Sequence, residues 1–401
     1  MSTTRRRQVD RRIRSRWLSV TGLVIIMTLL FAGYGGQPAS GASLPKSRGA
    51  APAPQGVTEA RAIVRRLERP VTWKNPGPAF KLGNTVRGKT VYFLANGLNF
   101  PFVQNLLAGV KEAAHAGGMG VLVGDGAGSV PKAASLIQQA VGRRANIIVD
   151  EGFPSSQLSA PIQRAKAANV PVIEIGSGTP GLPPASVRRI GVPAWVTFCY
   201  GCAGRQMADT AIAQSGGKVA GLVLNVPGIS VAQTETNGVL SELHRLCSST
   251  CKAKVVDAPL AQWSTLLPSL TSSNIQRDTS LNYLFPLFDS MIALMGPSVT
   301  RLNAQNRVKF VSYNATLPPM QQLKQGQMVS GDIGSPQHWL GWAIMDQTFR
   351  ILTHRPPVAD ENIPNRLFDA TNINSVNLNA AEGTWYGATN FRQKYRTLWG
   401  M

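Results

Sequence analysis

Four cysteines are the residues whose type and spacing point most directly to chemistry. Cys199-Tyr200-Gly201-Cys202 sits where a helix is expected to begin, and a helix N-terminus lowers a thiol pKa, so a dithiol redox site is one reading. Cys247-Ser248-Ser249-Thr250-Cys251 spans an expected helix-to-strand turn. In an exported chain two structural disulfides are the simpler reading, and pairing Cys199 with Cys202 and Cys247 with Cys251 closes the shortest loops of the three connectivities. His115, His244, His338 and His354 are scattered without metal-ligand spacing, so no metal is expected. Gly124-Asp125-Gly126-Ala127-Gly128 follows a strand but lacks the G-x-G-x-x-G spacing and reads as a turn. Neither a nucleophile elbow nor a phosphate loop is visible, and no cofactor is expected. A secreted thiol oxidoreductase using Cys199 and Cys202 is the enzymatic alternative to a binding module.

The elements that would position these residues alternate strictly. A short helix over 57–67 precedes the turn-rich stretch from Pro70 to Pro78. Residues 90–94 are β-branched and aromatic, Asn99 is a candidate cap for a helix starting at Pro101, and Phe102, Leu106, Val110 and Ala113 recur at helical spacing before Gly117-Gly118. Apolar runs at 121–123, 147–149 and 172–175 are separated by amphipathic segments at 133–141 and 158–168. After Cys202 a second series follows, with strands at 219–224, 253–256, 281–285 and 308–311. Helices are expected between and after them at 233–246, 264–270, 290–294 and 318–323. Intervals of under about 30 residues between strands are those of βαβ units in a parallel sheet, so the chain reads as two doubly wound α/β lobes in tandem. A length of 401 residues with 43% hydrophobic content is ample for two cores.

The N-terminus reads as an export signal. Seven arginines between Arg5 and Arg16 precede an uncharged stretch over 17–34, and small residues follow at Ala39, Ser40, Gly41 and Ala42. Cleavage near Ala42 is expected, with an uncleaved anchor as the alternative. Leu30-Phe31-Ala32-Gly33 resembles the start of a lipoprotein site, but Tyr34 stands where the lipidated cysteine would be, so the chain is not lipidated there. The formal net charge is +21. With +6 of it in the first sixteen residues and the rest scattered, it describes a solvated basic surface and no nucleic-acid partner. Residues 35–55 are mostly Pro, Ala, Gly and Ser and read as a flexible tether.

The ordered set of segments resembles the type I periplasmic solute-binding proteins of sugar ABC transporters, the ribose-binding-like group, over about residues 87–372. The motifs that carry the likeness are Gly88-Lys89-Thr90-Val91-Tyr92-Phe93 leading to Leu98-Asn99-Phe100-Pro101-Phe102, and Ala168-Asn169-Val170-Pro171-Val172-Ile173-Glu174-Ile175. Gly228-Ile229-Ser230 before Gly238 and Phe288-Asp289-Ser290-Met291-Ile292-Ala293-Leu294 keep familiar spacings. The ending Tyr395-Arg396-Thr397-Leu398-Trp399-Gly400 is also similar to that of related secreted binding proteins. No single motif is specific; their order is.

The resemblance implies the periplasmic binding protein type I fold, two doubly wound parallel-sheet lobes joined by a three-crossover hinge near Phe198, Gly334 and Asn365. It divides the chain into a signal peptide (1–42), a tether and helix/turn lead-in (43–86), an N-terminal lobe (87–198 with 334–364) and a C-terminal lobe (199–333 with 365–401). The first cysteine pair then lies at a crossover, where a bridge would stiffen it. The implied function is an extracytoplasmic, monomeric receptor without catalytic activity, which captures a small molecule between its lobes and delivers it to the permease of an ABC importer. A sensory domain feeding a membrane receptor shares the fold.

Carried over position by position, Phe102 falls where a family aromatic packs on the ligand and Trp263 where a second comes from the other lobe; Phe100, in the same motif as Phe102, is a further ligand-binding candidate. Asp289 keeps half of an Asn-Asp pair, with Phe288 in the partner's place. Asn314 stands for an aspartate that accepts sugar hydroxyls, and Gln233 and Glu235 occupy a region where the family has an arginine. Gly176-Ser177 replaces an aspartate-arginine pair, which removes the strongest hydroxyl readers and implies a cleft less polar than one for a simple sugar. Trp195 is expected to pack in the core.

Overall fold

The computed structural model describes residues 53–176, 179–229 and 231–401. The expected signal peptide, Tyr34, the start of the tether and Ser177 lie outside the described residues, as does Ser230. Among the described residues no helix is long and apolar enough to cross a membrane.

Helix α1 (Ala53–Leu67) is followed by the first alternating series: β1 (Thr90–Ala95), α2 (Pro101–Gly117), β2 (Gly120–Asp125), α3 (Val130–Gly142), β3 (Ile147–Glu151), α4 (Ser159–Ala167), β4 (Val172–Ile175), α5 (Ala185–Ile190) and β5 (Ala194–Val196). Its strands form one parallel sheet in the order β2-β1-β3-β4-β5. Strand alternation divides β1 between two cores, with Val91, Phe93 and Ala95 on one face and Tyr92 and Leu94 on the other. Pro101 opens α2 as expected, but the cap is Phe100 rather than Asn99, and it caps without a side-chain bond. Proline at the first position needs no partner for an N–H it lacks. Gly118 ends the helix in the left-handed region at φ 74°, its amide donating to the carbonyls of Ala114 and His115.

The second series is α6 (Tyr200–Ser215), β6 (Ala220–Asn225), α7 (Ala232–Cys247), β7 (Lys252–Asp257), α8 (Trp263–Arg277), β8 (Tyr283–Pro286), α9 (Ile292–Arg301), β9 (Lys309–Asn314), α10 (Leu317–Lys324), β10 (Val329–Gly334), α11 (Gln337–Leu352), β11 (Arg366–Asp369) and α12 (Phe391–Leu398). Its sheet runs β11-β10-β9-β8-β6-β7, parallel throughout except where β11 pairs antiparallel with β10. The helix expected from Ser290 begins as a 3₁₀ turn, Asp289–Met291, before α9. Lys252 and Lys254 on the edge strand β7 discourage pairing with another chain.

Each lobe locks two helices together through glycines. A Cβ on Gly109 of α2 would lie 2.4 Å from the His338 carbonyl oxygen on α11, and one on Gly341 would lie 2.5 Å from the Gly109 carbonyl carbon. In the second lobe a Cβ on Gly204 of α6 would meet the Glu235 carbonyl oxygen of α7 at 2.0 Å. Backbones approach closely only because these side chains are absent. Helix α1 docks on α6 and α7, with Val57, Ala60 and Val64 buried at helical spacing.

The expected placement of residues 365–401 in the second lobe needs correction at its end. Helix α12 lies on the first lobe's helices, where Trp399 stacks on Trp342 of α11 at 5.3 Å and Arg392 pairs with Glu112 of α2 at 2.8 Å. The amides of Phe80 and Leu82 donate to the carbonyls of Leu398 and Trp399 at 2.8 and 3.0 Å. The physical cause is the aromatic face of α11: Trp339 and Trp342 need covering, and Phe391, Tyr395 and Trp399 cover them.

Candidate functional site

The carboxyl ends of both sheets face one cavity of about 80 Å³. This is the crevice an open parallel sheet leaves beyond its strand ends. From the first lobe come Asn96 after β1, Phe100 and Phe102 at the start of α2, Glu151 at the end of β3, and Gly152 and Gly176 just beyond β3 and β4. The second lobe supplies Tyr200 at the start of α6, Val231 before α7, Leu260 and Trp263 at the start of α8, Phe288 and Ser290 after β8, and Asn314 closing β9.

The aromatic side chains of Phe100, Phe102, Trp263 and Phe288 line the cavity. Phe100 meets Trp263 edge-on across the lobes at 5.8 Å, and Trp263 lies 6.5 Å from Phe288. The Trp263 indole N–H donates to the Ala258 carbonyl at 2.9 Å, which sets the ring's orientation. Gly176 adopts φ 81°, and a Cβ there would stand 3.4 Å from the Tyr200 hydroxyl oxygen. A glycine therefore meets both the backbone and the space requirement at this point of the wall.

Among the lining residues Glu151 is the acidic one. Glu151 is only 7% exposed, and its Oε2 accepts the Asn96 amide at 2.8 Å. Burial pushes its carboxyl up to about 7, with the Asn96 hydrogen bond pulling the other way. Tyr200 is buried beside Glu151 and Glu235, and burial together with these two carboxyl groups raises its phenol far above the usual value. Glu235 is wholly buried, and neither carboxyl oxygen has a hydrogen-bond partner. Desolvation, with Asp289 nearby, holds it well above the ordinary carboxylate range.

The structure brings Phe100, Phe102, Gly176, Trp263, Phe288 and Asn314 together around the cavity. Gln233 is corrected away from it: it lies on the solvent face of α7, its amide donating to Asn237 Oδ1 at 2.9 Å. Two positions along, Glu235 turns inward and lies behind the wall, because 3.6 residues per turn put these neighbours on different faces. Asp289 also stands behind the wall. Its Oδ1 accepts the Ser312 hydroxyl at 2.6 Å and its Oδ2 accepts the Thr316 amide and hydroxyl at 2.6 and 2.8 Å, which braces the turn that presents Asn314. Its burial raises the carboxyl to about 6, while these hydrogen bonds lower it. Trp195 is half-buried on the edge strand β5 rather than in the core, its indole donating to the Gly181 carbonyl.

Sequence reasoning missed Asn96, Glu151 and Tyr200. The available signal was a polar residue immediately after a buried apolar run, as in Leu94-Ala95-Asn96 and Val149-Asp150-Glu151. Tyr200 was masked by the cysteines around it. Cys199 is bonded to Cys202 and Cys247 to Cys251, and no cysteine lines the cavity. Among the described residues no group of three His, Cys, Asp or Glu side chains is placed to hold a metal ion.

A family model described as a periplasmic binding protein domain matches residues 91–356. Solved structures share the fold at low identity. A periplasmic solute-binding protein of an ABC transporter from Actinobacillus succinogenes 130z, with bound D-allose, is 15% identical over 72% of this chain and 99% of its own, with a TM-score of 0.62. A carbohydrate transporter protein from Acidothermus cellulolyticus 11B in complex with myo-inositol is 16% identical over 74% and 99%, also at 0.62. A 5-methylthioribose transporter solute-binding protein from Thermotoga lettingae TMO, with 5-methylthioribose, is 12% identical over 78% and 94%, at 0.64. No curated protein matches the sequence.

Proposed function

The chain belongs to the periplasmic binding protein family, and from that premise we propose that it captures a small molecule, carbohydrate-like or less polar, between its lobes for an ABC importer. The observation that carries this reading is the aromatic contact across the cleft, Phe100 of one lobe on Trp263 of the other. A ligand held in the cavity these rings line touches both lobes at once, and contacts that only the closed state makes are what shift the population toward it. The named ligands of the solved relatives, D-allose, myo-inositol and 5-methylthioribose, set the expected size.

The remaining parts of the reading follow from the sequence. An arginine-rich leader exports the chain, its body works outside the cytoplasm as a monomer, and the segments near Phe198, Gly334 and Asn365 serve as the hinge. A thiol oxidoreductase is disfavoured, since the chain belongs to the periplasmic binding protein family and Cys199 and Cys202 do not line the cavity.

A thermal-shift screen of the purified protein against sugars, polyols, glycosides and small aromatic compounds tests capture. A ligand at a hundredfold its Kd stabilises by about 2.7 kcal/mol, an easily read shift. Trp263→Ala and Phe102→Ala should abolish it while leaving the far-UV spectrum unchanged. A hit that survives both substitutions would place the site elsewhere.

A further inference from the structure

The chemistry of the cavity wall is one-sided. Among the described residues no Lys, Arg or His lines it, although Lys and Arg number 41 against 20 Asp and Glu in the chain. Beside the amide and hydroxyl groups of Asn314, Tyr200 and Ser290, the wall presents open acceptors: among the described residues Asn96 Oδ1 has no partner, and Glu151 binds the Asn96 amide through Oε2. Behind Tyr200, Glu235 is wholly buried, and among the described residues its oxygens find no hydrogen-bond partner and neither glutamate joins an ion pair. Around these acceptors stand Phe100, Phe102, Trp263 and Phe288, whose ring faces are electron-rich.

A polyol offers acceptors as well as donors, and its acceptors would meet no charged donor here. A cation satisfies the whole wall: ring faces attract it, and it supplies the countercharge that a buried carboxylate requires. We propose that the ligand is a compact organic cation, an ammonium group in an apolar surround, seated among Phe100, Phe102, Trp263 and Phe288 with Glu151 as its counter-ion. This assignment rests on the reading of the cleft as the capture site and specifies the ligand class. Burial leaves the Glu151 carboxyl near 7, so an arriving cation ionises it readily at neutral pH. Size agrees, because about 80 Å³ holds roughly six waters at ~10–15 Å³ each, or an organic group of similar bulk.

Titration calorimetry with choline and with 3,3-dimethyl-1-butanol, the same shape with carbon in place of nitrogen, isolates the charge. Choline should bind at least about tenfold tighter than the alcohol. Glu151→Gln should shrink that ratio toward one, and Trp263→Ala should remove choline binding. Equal affinity for the two compounds overturns the proposal. Binding of D-allose or myo-inositol that depends on Trp263, with none of choline, overturns it while leaving capture in the cleft intact. Choline binding indifferent to both Glu151 and Trp263 overturns the proposal and the site together.

Discussion

Glu151 ends β3 and lines the cleft, and Glu174, on the neighbouring strand β4, is buried as deeply. Burial pushes each carboxyl from the ordinary 4.5 up to about 7. A carboxyl whose pKa rises on folding holds its proton more tightly in the folded state, so its contribution is complete below about 4.5 and is lost as pH climbs through about 7. Each group accounts for up to about 3 kcal/mol on this reasoning. Urea denaturation should therefore find the ligand-free protein more stable at pH 5 than at pH 8. Glu151→Gln should flatten the dependence. Higher stability at pH 8 would mean that these carboxyls are not shielded from water.

Among the elements, α12 tests how the lobes are built. Its Trp399 stacks on Trp342, meets Phe349 edge-on at 4.7 Å, and donates its indole N–H to buried Asp346 at 2.7 Å. The same aspartate pairs with Arg350 at 2.6 Å. Trp399→Ala should cost about 3–5 kcal/mol through the lost ring alone, with a further penalty for the Asp346 oxygen left unpaired. Loss of under about 1 kcal/mol would show that the helix merely rests on α11. Alternating strands and helices were legible at this scale because each carries its own period: the runs at 147–149 and 172–175 mark β3 and β4 closely. The docking of α12 was not legible, since its aromatic stripe, Phe391, Tyr395 and Trp399, names no partner.

At the scale of the whole molecule, the chain leaves the first sheet after β5, enters the second with β6, packs α11 back on α2, and returns with β11. If these passages are the hinge, ligand should compact the protein. Small-angle scattering with and without a saturating ligand is expected to show a smaller radius of gyration in the bound form, and Trp263→Ala should remove the change. Identical curves for a ligand bound in the cleft would argue that the lobes are already docked without it.

By itself the sequence determined the order of elements and the doubly wound class, because apolar periodicity and segment order are written locally along the chain, whereas Phe100, Phe102, Trp263 and Phe288 were singled out by the family resemblance. Tertiary structure alone decided which polar groups share the cavity. Asn96, Glu151, Tyr200 and Asn314 are far apart in sequence and meet only because parallel register aligns the strand ends of each sheet and the chain's passage between sheets turns those ends toward each other. Helical phase likewise sent Gln233 to solvent and Glu235 inward, two residues apart on α7. Burial, which no short stretch of sequence encodes, is what raised Glu151 and Glu235 above ordinary carboxylates.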